Sequence, residues 1–211
     1  MQTSLFEAGS TKAGINLLPK EGCAYYFHDI FDEVTSDKLF RSLLNTLTWE
    51  HDQLLMFGRR VTTQRKVAWV ADGDHSYTYS GATKTPQIWT SELLQIKERA
   101  EVLGNWKFNS CLLNLYHNGN EGMGWHSDDE PELEQDAPIV SISFGGVRKF
   151  GFRNKQDKTS ISFSLGNGSA LVMHSPTQEY WKHSLLKTKQ SVGPRINLTF
   201  RSIKSEPEFK P

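Results

Sequence analysis

The second half of the chain contains short segments in which apolar and polar residues alternate. In two of them the apolar positions are Val140, Ile142 and Phe144, and Ile161, Phe163 and Leu165. The residues that separate such segments are Gly145-Gly146, Asn154, Gly166-Asn167-Gly168, Ser175-Pro176 and Gly193-Pro194. A period of two indicates strands, and glycine, asparagine and proline favour the turns between strands. This rhythm predicts an antiparallel β-sandwich or jelly roll after Trp106.

Helices and one short strand are predicted before this region. From Ser36 to about Leu47, apolar residues recur three and four positions apart, which is typical of an amphipathic helix with Ser36 as its N-cap. A second helix is predicted from about Glu92 to Leu103, between a capping Ser91 and a terminating Gly104. The segment 24–27 has the composition of a short strand. We expect the helices to buttress a sheet.

Length and composition limit the possible classes of protein. At 211 residues and 24.0 kDa, the chain suits one well-buried domain, with an N-terminal arm to about residue 20. No apolar run is long enough to cross a membrane, and residues 1–7 lack a secretory-signal pattern. We therefore expect a cytoplasmic protein, or a nuclear one in a eukaryotic cell, without membrane association. Two cysteines, Cys23 and Cys111, argue against a disulfide framework or a thiolate zinc site.

The formal net charge is zero, because 24 basic residues balance 24 acidic ones. Any binding to nucleic acid must then depend on local basic patches. Three candidate patches are Arg59-Arg60 with Arg65-Lys66, Arg148-Lys149 with Arg153 and Lys155, and Lys182 with Lys187 and Lys189. An ordinary solvated surface is the alternative for each group.

His126 and Asp128 are separated by one residue, Ser127. On an extended backbone, both side chains would point to the same face. Two imidazoles and one carboxylate suit a non-haem Fe(II) site with open coordination positions, so a second histidine is required. His183 lies in a segment that could be a strand, and the nearby His174 is the alternative. With seven histidines in the chain, histidines unrelated to a metal are a further alternative.

Polar residues alternate with apolar ones from Arg195 to Arg201. A period of two places Arg195, Asn197, Thr199 and Arg201 on one face, opposite Ile196, Leu198 and Phe200. A buried guanidinium needs an anionic partner, so this face predicts an anionic pocket. The two arginines are about 20 Å apart along the strand, so they are not expected to grip one carboxylate in the same way.

These elements together closely resemble the AlkB family of Fe(II)- and 2-oxoglutarate-dependent dioxygenases, especially its DNA-repair members. The matching elements are Asn114-Leu115-Tyr116, His126-Ser127-Asp128-Asp129-Glu130, His183 and Arg195-x-Asn197-x-Thr199-x-Arg201. The resemblance implies an α+β, mainly β fold. Its double-stranded β-helix (jelly-roll) core would cover about residues 105–203 and be buttressed by the N-terminal helices.

The resemblance also implies roles for individual residues. Fe(II) would be held by His126, Asp128 and His183, with O₂ as oxidant. The residues implied in 2-oxoglutarate binding are Asn114, Tyr116, Arg195, Asn197 and Arg201. Contact with the carboxylate of Asp128 is an additional role open to Arg201, and the sequence does not separate the roles of the two arginines.

The segment 51–81 corresponds by resemblance to a nucleotide-recognition lid of loops and hairpins. Phe57 stands where members that act on duplex DNA carry an aromatic finger; its alternative is a buried residue of an ordinary hairpin. A flipped base needs stacking partners, for which Tyr77 and Tyr79 are candidates, together with the His126 ring. Glu130 would face the cationic alkylated base. The alternative for Glu130 is an acidic loop residue that is exposed to solvent.

The implied reaction is oxidative dealkylation of N-alkylated bases, such as 1-methyladenine and 3-methylcytosine, in DNA or alternatively RNA. Formaldehyde is released while 2-oxoglutarate is decarboxylated to succinate. The chain is expected to act as a monomer on nucleic acid. One alternative is an oxygenase of the same core that acts on protein or lipid. A second is a non-catalytic nucleic-acid-binding module, against which the complete metal triad and both arginines argue.

Overall fold

The computed structural model describes residues 15–56, 59–73, 77–79, 82–84 and 86–204. The strands are β1 Cys23–Phe27, β2 Glu50–Met56, β3 Arg59–Ala71, β4 Tyr77–Tyr79, β5 Ala82–Lys84, β6 Ser110–Tyr116, β7 Met123–His126, β8 Ile139–Gly145, β9 Arg148–Asn154, β10 Ser160–Leu165, β11 Ser169–His174, β12 Trp181–Leu185 and β13 Arg195–Arg201. The helices are α1 Glu33–Thr46, α2 Ser91–Gly104 and α3 Thr177–Tyr180. None of the described helices has the length and apolar character needed to span a membrane.

Two antiparallel sheets form the body of the fold. The larger sheet has seven strands in the order β1-β11-β8-β13-β6-β3-β2, and the smaller has four in the order β10-β9-β12-β7. The strands β4 and β5 form a separate hairpin. The crossovers between β8, β11 and β13 in one sheet and β9, β10 and β12 in the other are those of a jelly roll. The predicted α+β, mainly β jelly-roll architecture is therefore confirmed.

The large sheet is covered on one face by helices and on the other by the small sheet. Leu43 of α1 and Ile96 of α2 pack with Leu198 of β13 in one buried cluster. On the opposite face, Tyr116 of β6 packs in a second cluster with Phe152 of β9 and other small-sheet residues. Each fully buried side chain of this size stabilises the fold by about 1.5–3 kcal/mol. The space between the two sheets is where the polar face of β13 lies.

Both predicted helices are present, but the caps differ from those expected. Asp32 is the N-cap of α1, where its Oδ1 accepts a hydrogen bond of 2.7 Å from the Thr35 amide. Ser36, the expected cap, is instead buried inside the helix. Thr90 rather than Ser91 caps α2, and Asn105 in the left-handed conformation follows its last residue, Gly104. Serine, threonine and aspartate are all good caps, so the hydrophobic pattern predicted where each helix lies but not which residue caps it.

Part of the segment expected as a lid belongs to the large sheet. The strand β3 pairs with β6 in the register Val67 to Asn114, and residues 67–71 are buried. From Arg59 to Val67, β3 also pairs with β2 in the antiparallel direction. Phe57 lies outside the described residues. For Tyr77 and Tyr79 the structure describes the backbone, as part of β4.

Candidate metal centre and co-substrate cavity

Three potential metal ligands converge between the small-sheet strands and the loop that follows β7. His126 ends β7 and lies directly opposite His183 of β12 in the antiparallel register. The Nε2 atoms of His126 and His183 lie 3.7 Å and 3.8 Å from the two oxygens of Asp128. One donor atom from each residue lies within 4.8 Å of the others, a spacing at which all three could bind one ion. His174 is not part of this group.

Two hydrogen bonds fix the chain where β7 ends. The Ser127 hydroxyl donates to the carbonyl of Trp181 over 3.0 Å. The amide of Asp128 donates to Oε1 of Gln178, also over 3.0 Å. Asp128 therefore lies beyond the strand rather than within it, yet its carboxylate is buried and directed at both imidazoles.

The hydrogen bond at the His126 ring fixes its tautomer. Nδ1 of His126 lies 2.8 Å from the carbonyl oxygen of Gly124, which can only accept, so Nδ1 carries the proton. The lone pair of Nε2 is then available on the side of Asp128. Nδ1 of His183 is buried and has no protein hydrogen-bond partner among the described residues.

The protonation states of this group suit a divalent cation. Burial lowers the pKa of His183 to about 3, so the imidazole is neutral at physiological pH. Burial alone would raise the pKa of Asp128, but the charge of Arg201 and its hydrogen bond to the carboxylate hold this pKa well below its usual range. Two imidazoles and one ionised carboxylate are the donor set that non-haem Fe(II) uses. The residues present therefore fit this metal.

The two arginines of β13 have different partners. The Arg201 guanidinium donates to Oδ1 of Asp128 over 2.7 Å. The Arg195 guanidinium donates to the Ser143 hydroxyl over 2.7 Å and to Oδ1 of Asn197 over 3.1 Å, while its Nε has no hydrogen-bond partner among the described residues. Among the described residues, no carboxylate forms an ion pair with Arg195. Burial lowers the pKa of Arg195 to about 10, so this buried side chain remains a cation that an anionic ligand would complement.

The candidate metal ligands and the residues expected to bind 2-oxoglutarate line one cavity between the sheets. From this set, the cavity wall includes His126, Asp128, His183, Asn114, Tyr116, Arg195, Asn197 and Arg201. Asn114 and Tyr116 share a face of β6, opposite Asn197 and Arg195 of β13. Burial raises the pKa of Tyr116, while the charges of nearby arginines partly offset this effect, so its hydroxyl stays protonated and can donate. The cavity thus has cationic and hydrogen-bonding groups on one side and metal donors on the other.

Several polar residues of this cavity carry no distinctive motif. Ser141 donates to Oδ1 of Asn197 over 3.0 Å, and the Asn197 amide donates to Thr199 over 2.9 Å. Ser141 and Ser143 lie on β8, in which Val140 to Phe144 are all buried. Two serines in a strand that is buried on both faces could have indicated a polar cavity, since buried hydroxyl groups require hydrogen-bond partners.

Two arginines expected in surface patches are buried, so those patches are smaller than predicted. Arg148 is 1% exposed and donates to backbone carbonyls, which belong to Asn118, Gly119, Glu121 and Leu186. Arg65 is 3% exposed and pairs with Asp52. The expectation that either guanidinium is available to a nucleic acid on the surface is wrong.

A larger cavity of about 420 Å³ adjoins the first and shares Asp128, Met173 and Arg201 with it. Glu130, expected to contact substrate, lies on its wall. The other acidic residues that line it are Asp129, Glu134, Asp136 and Glu179. The candidate metal centre therefore borders a space with an excess of negative charge.

The family model of the 2OG-Fe(II) oxygenase superfamily matches residues 23–201. The chain belongs to this superfamily. It is 36% identical over 197 residues to the DNA oxidative demethylase ALKBH2 of Mus musculus, covering 88% of this chain and 82% of that protein. The alkB homolog 3 of Bos taurus, an alpha-ketoglutarate-dependent dioxygenase, is 35% identical over 182 residues, covering 82% of this chain and 63% of that protein. The predicted resemblance to AlkB proteins is confirmed.

The solved structure of OsALKBH1 has the same fold, with a TM-score of 0.56 at 16% identity over 85% of this chain and 97% of that one. Membership of the 2OG-Fe(II) oxygenase superfamily makes the protein a dioxygenase that uses Fe(II), 2-oxoglutarate and O₂. The prediction of an enzyme with these cofactors is confirmed.

Proposed function

We propose that this 2OG-Fe(II) oxygenase removes alkyl groups oxidatively from N-alkylated bases of DNA. Support comes from the ALKBH2 relatives, named as DNA oxidative demethylases, and from the acidic cavity beside the candidate metal ligands. The observation that carries the proposal is that Asp128 lines both cavities. A cationic base in the acidic cavity would therefore lie next to the metal centre, while 2-oxoglutarate occupied the cavity between the sheets.

In this proposal His126, Asp128 and His183 hold Fe(II). When bound, the iron couples oxidation of 2-oxoglutarate by O₂, to succinate and CO₂, with hydroxylation of an N-alkyl carbon of the base. Arg201 orients the Asp128 carboxylate through its 2.7 Å hydrogen bond. A hydroxylated N-methyl group then leaves as formaldehyde, and the nitrogen regains its unalkylated form.

The residues of the cavity between the sheets would bind 2-oxoglutarate. Arg195 binds one carboxylate, because its buried charge has no ion-pair partner among the described residues. Hydrogen bonds from Asn114 and Tyr116 and the polar side chain of Asn197 complete the recognition. Burial strengthens each of these contacts and limits the access of water.

Substrate selection would depend on the acidic cavity and on the lid. 1-Methyladenine and 3-methylcytosine are cations at neutral pH, so the carboxylate of Glu130 attracts them. A base inside a duplex must be flipped out to reach this cavity, with Tyr77 and Tyr79 as stacking partners and Phe57 entering the base stack in its place. The same lid would accept single-stranded DNA or RNA.

We also propose that the enzyme acts as a monomer in the cytoplasm, or in the nucleus of a eukaryotic cell. A single chain provides all the proposed metal and 2-oxoglutarate contacts. Sedimentation of the purified enzyme with and without a methylated oligonucleotide tests the monomer.

Mass spectrometry of oligonucleotides that carry 1-methyladenine or 3-methylcytosine tests the activity. We expect loss of one methylene mass unit only when Fe(II), 2-oxoglutarate and O₂ are all present. Turnover of a methylated peptide or a lipid, without turnover of the oligonucleotides, would contradict the proposed substrate class. Tight binding of the oligonucleotides without 2-oxoglutarate consumption would indicate a binding module instead.

A further inference from the structure

A buried ion pair lies directly behind the proposed 2-oxoglutarate cavity. The Arg65 guanidinium of β3 donates to Oδ2 of Asp52 in β2 over 2.9 Å. Neither residue is exposed by more than 3%. A buried ion pair is weak evidence for stability, because the cost of removing two charges from water can exceed their attraction. Its position behind the cavity suggests a role other than stabilising the fold.

The same guanidinium also holds a residue of the cavity wall. Nε of Arg65 donates to Oδ1 of Asn114 over 3.1 Å, and this hydrogen bond is buried. Arg65 reaches Asn114 from the neighbouring strand, because β3 pairs with β6 in the register Val67 to Asn114. Asn114 thus lines the cavity and is held by a residue, Arg65, that lies outside it.

This contact determines which end of the Asn114 amide faces the cavity. A guanidinium has donors and no acceptor, so only the oxygen of the amide can face Arg65. With Oδ1 held there, the side chain offers the cavity its NH₂ group, which is a donor. An anionic or keto oxygen would be attracted by this donor, whereas the opposite orientation would present a repelling carbonyl oxygen.

The position of Asp52 explains how the guanidinium itself is held. The pairing of β2 with β3 shifts register between His51 and Gln53, where Asp52 of β2 lies opposite residues 63–65 of β3, so Arg65 lies in the bulged strand. A bulge redirects a side chain within its strand, and here the Arg65 guanidinium meets the Asp52 carboxylate in the protein interior. Asp52 therefore fixes one arm of the guanidinium while a second nitrogen holds Asn114.

We propose that Arg65, anchored by Asp52, is a positioning residue that orients the Asn114 amide as a hydrogen-bond donor to 2-oxoglutarate. This inference rests on the proposed function, in which Asn114 binds the co-substrate. Arg65 does not itself line the cavity. Its effect passes through Asn114, and this dependence can be measured.

The test is calorimetric titration of the Mn(II)-loaded protein with 2-oxoglutarate, in which no turnover occurs. Arg65→Lys keeps a positive charge beside Asp52 but cannot reproduce the two diverging donors of the guanidinium. We expect its Kd for 2-oxoglutarate to rise about tenfold, the effect of losing one hydrogen bond to a charged group. Asn114→Ala should raise the Kd at least as much. The matched control is Lys66→Met, the adjacent basic residue of β3, for which the parent Kd is expected.

A double-mutant cycle distinguishes action through Asn114 from an independent effect. In the Asn114→Ala background, Arg65→Lys should not weaken binding further. Equal losses of affinity in both backgrounds, or a parent Kd for Arg65→Lys alone, would overturn the inference and leave the proposed function standing. An unchanged Kd for Asn114→Ala would instead overturn the co-substrate role of Asn114, and the inference with it.

A second variant covers the case in which Arg65→Lys does not fold. Asp52→Leu combined with Arg65→Met removes both charges and replaces the pair by apolar side chains, a change that folded proteins often tolerate. We expect a melting temperature near that of the parent together with a raised Kd for 2-oxoglutarate. A folded double variant with the parent Kd would overturn the inference.

Discussion

The Arg201 guanidinium donates a hydrogen bond of 2.7 Å to Oδ1 of Asp128, and both side chains are buried. The remaining oxygen of Asp128 lies 3.8 Å from Nε2 of His183. Arg201 therefore holds the carboxylate in place and favours its ionised form. Arg195, six positions earlier on the same strand, has no such carboxylate among the described residues, so the two arginines can be separated by experiment.

Arg201→Met should weaken metal binding about 10- to 100-fold, the usual effect of removing a residue that orients a ligand. The Asp128 carboxylate would lose both its hydrogen bond and the nearby positive charge. Titration with Mn(II), followed by calorimetry in the absence of 2-oxoglutarate, measures the change. Metal affinity equal to that of the parent would show that Asp128 is oriented without Arg201.

Arg195→Met should raise the Kd for 2-oxoglutarate about 10- to 100-fold and leave metal affinity near that of the parent. The reason is the loss of the buried cation proposed to bind a carboxylate. The folded protein should not lose stability through a broken ion pair, since none is formed by Arg195 among the described residues. Thermal melting without 2-oxoglutarate checks this point, and Arg195→Lys, which retains the charge, should bind the co-substrate with intermediate affinity.

His126→Ala should abolish turnover while leaving the fold intact. His126 is a proposed metal ligand whose side chain is 31% exposed, so its removal leaves no large buried cavity. Formaldehyde release from a methylated oligonucleotide measures turnover, and circular dichroism measures folding. A near-parental rate of formaldehyde release from the folded variant would show that the metal assignment is wrong.

The polar face of β13 could be predicted because the two-residue period is a property of any strand. Arg195, Asn197 and Arg201 needed no knowledge of their neighbours to be placed on one face. Chemistry alone required a second histidine as the third metal donor, and the family resemblance favoured His183 over His174 for that role. The path of the chain after β7 could not be predicted, because it depends on a hydrogen bond from Asp128 to Gln178, which is distant in sequence.

The burial of Arg65 and Arg148 shows where sequence patterns fail. A surface arginine and a buried one look alike in sequence, and the difference lies in acceptors contributed by other segments. Arg65 is held by Asp52 and Asn114, and Arg148 by carbonyls of the β6–β7 loop and of Leu186. Such acceptors become neighbours only after the sheets have formed.

Phe57→Ala should reduce activity on duplex DNA about tenfold more than on single strands. If Phe57 enters the base stack when a base is flipped out, its removal loses part of the stacking that compensates for unstacking the base, and only a duplex requires this compensation. The measurement compares kcat/KM for one 1-methyladenine oligonucleotide, alone and annealed to its complement. Equal losses on the two substrates would remove the role proposed for Phe57.

Glu130→Gln should raise the KM about tenfold for oligonucleotides with a cationic lesion and much less for those with a neutral one. The substitution removes one negative charge from the wall of the acidic cavity and keeps the side-chain size. Attraction between opposite charges acts on 1-methyladenine and 3-methylcytosine, whereas 3-methylthymine is neutral and does not experience it. The matched control is Glu132→Gln, an exposed acid of the same loop that does not line the cavity. An equal rise in KM for charged and neutral lesions would mean that Glu130 contributes shape or hydrogen bonding rather than charge.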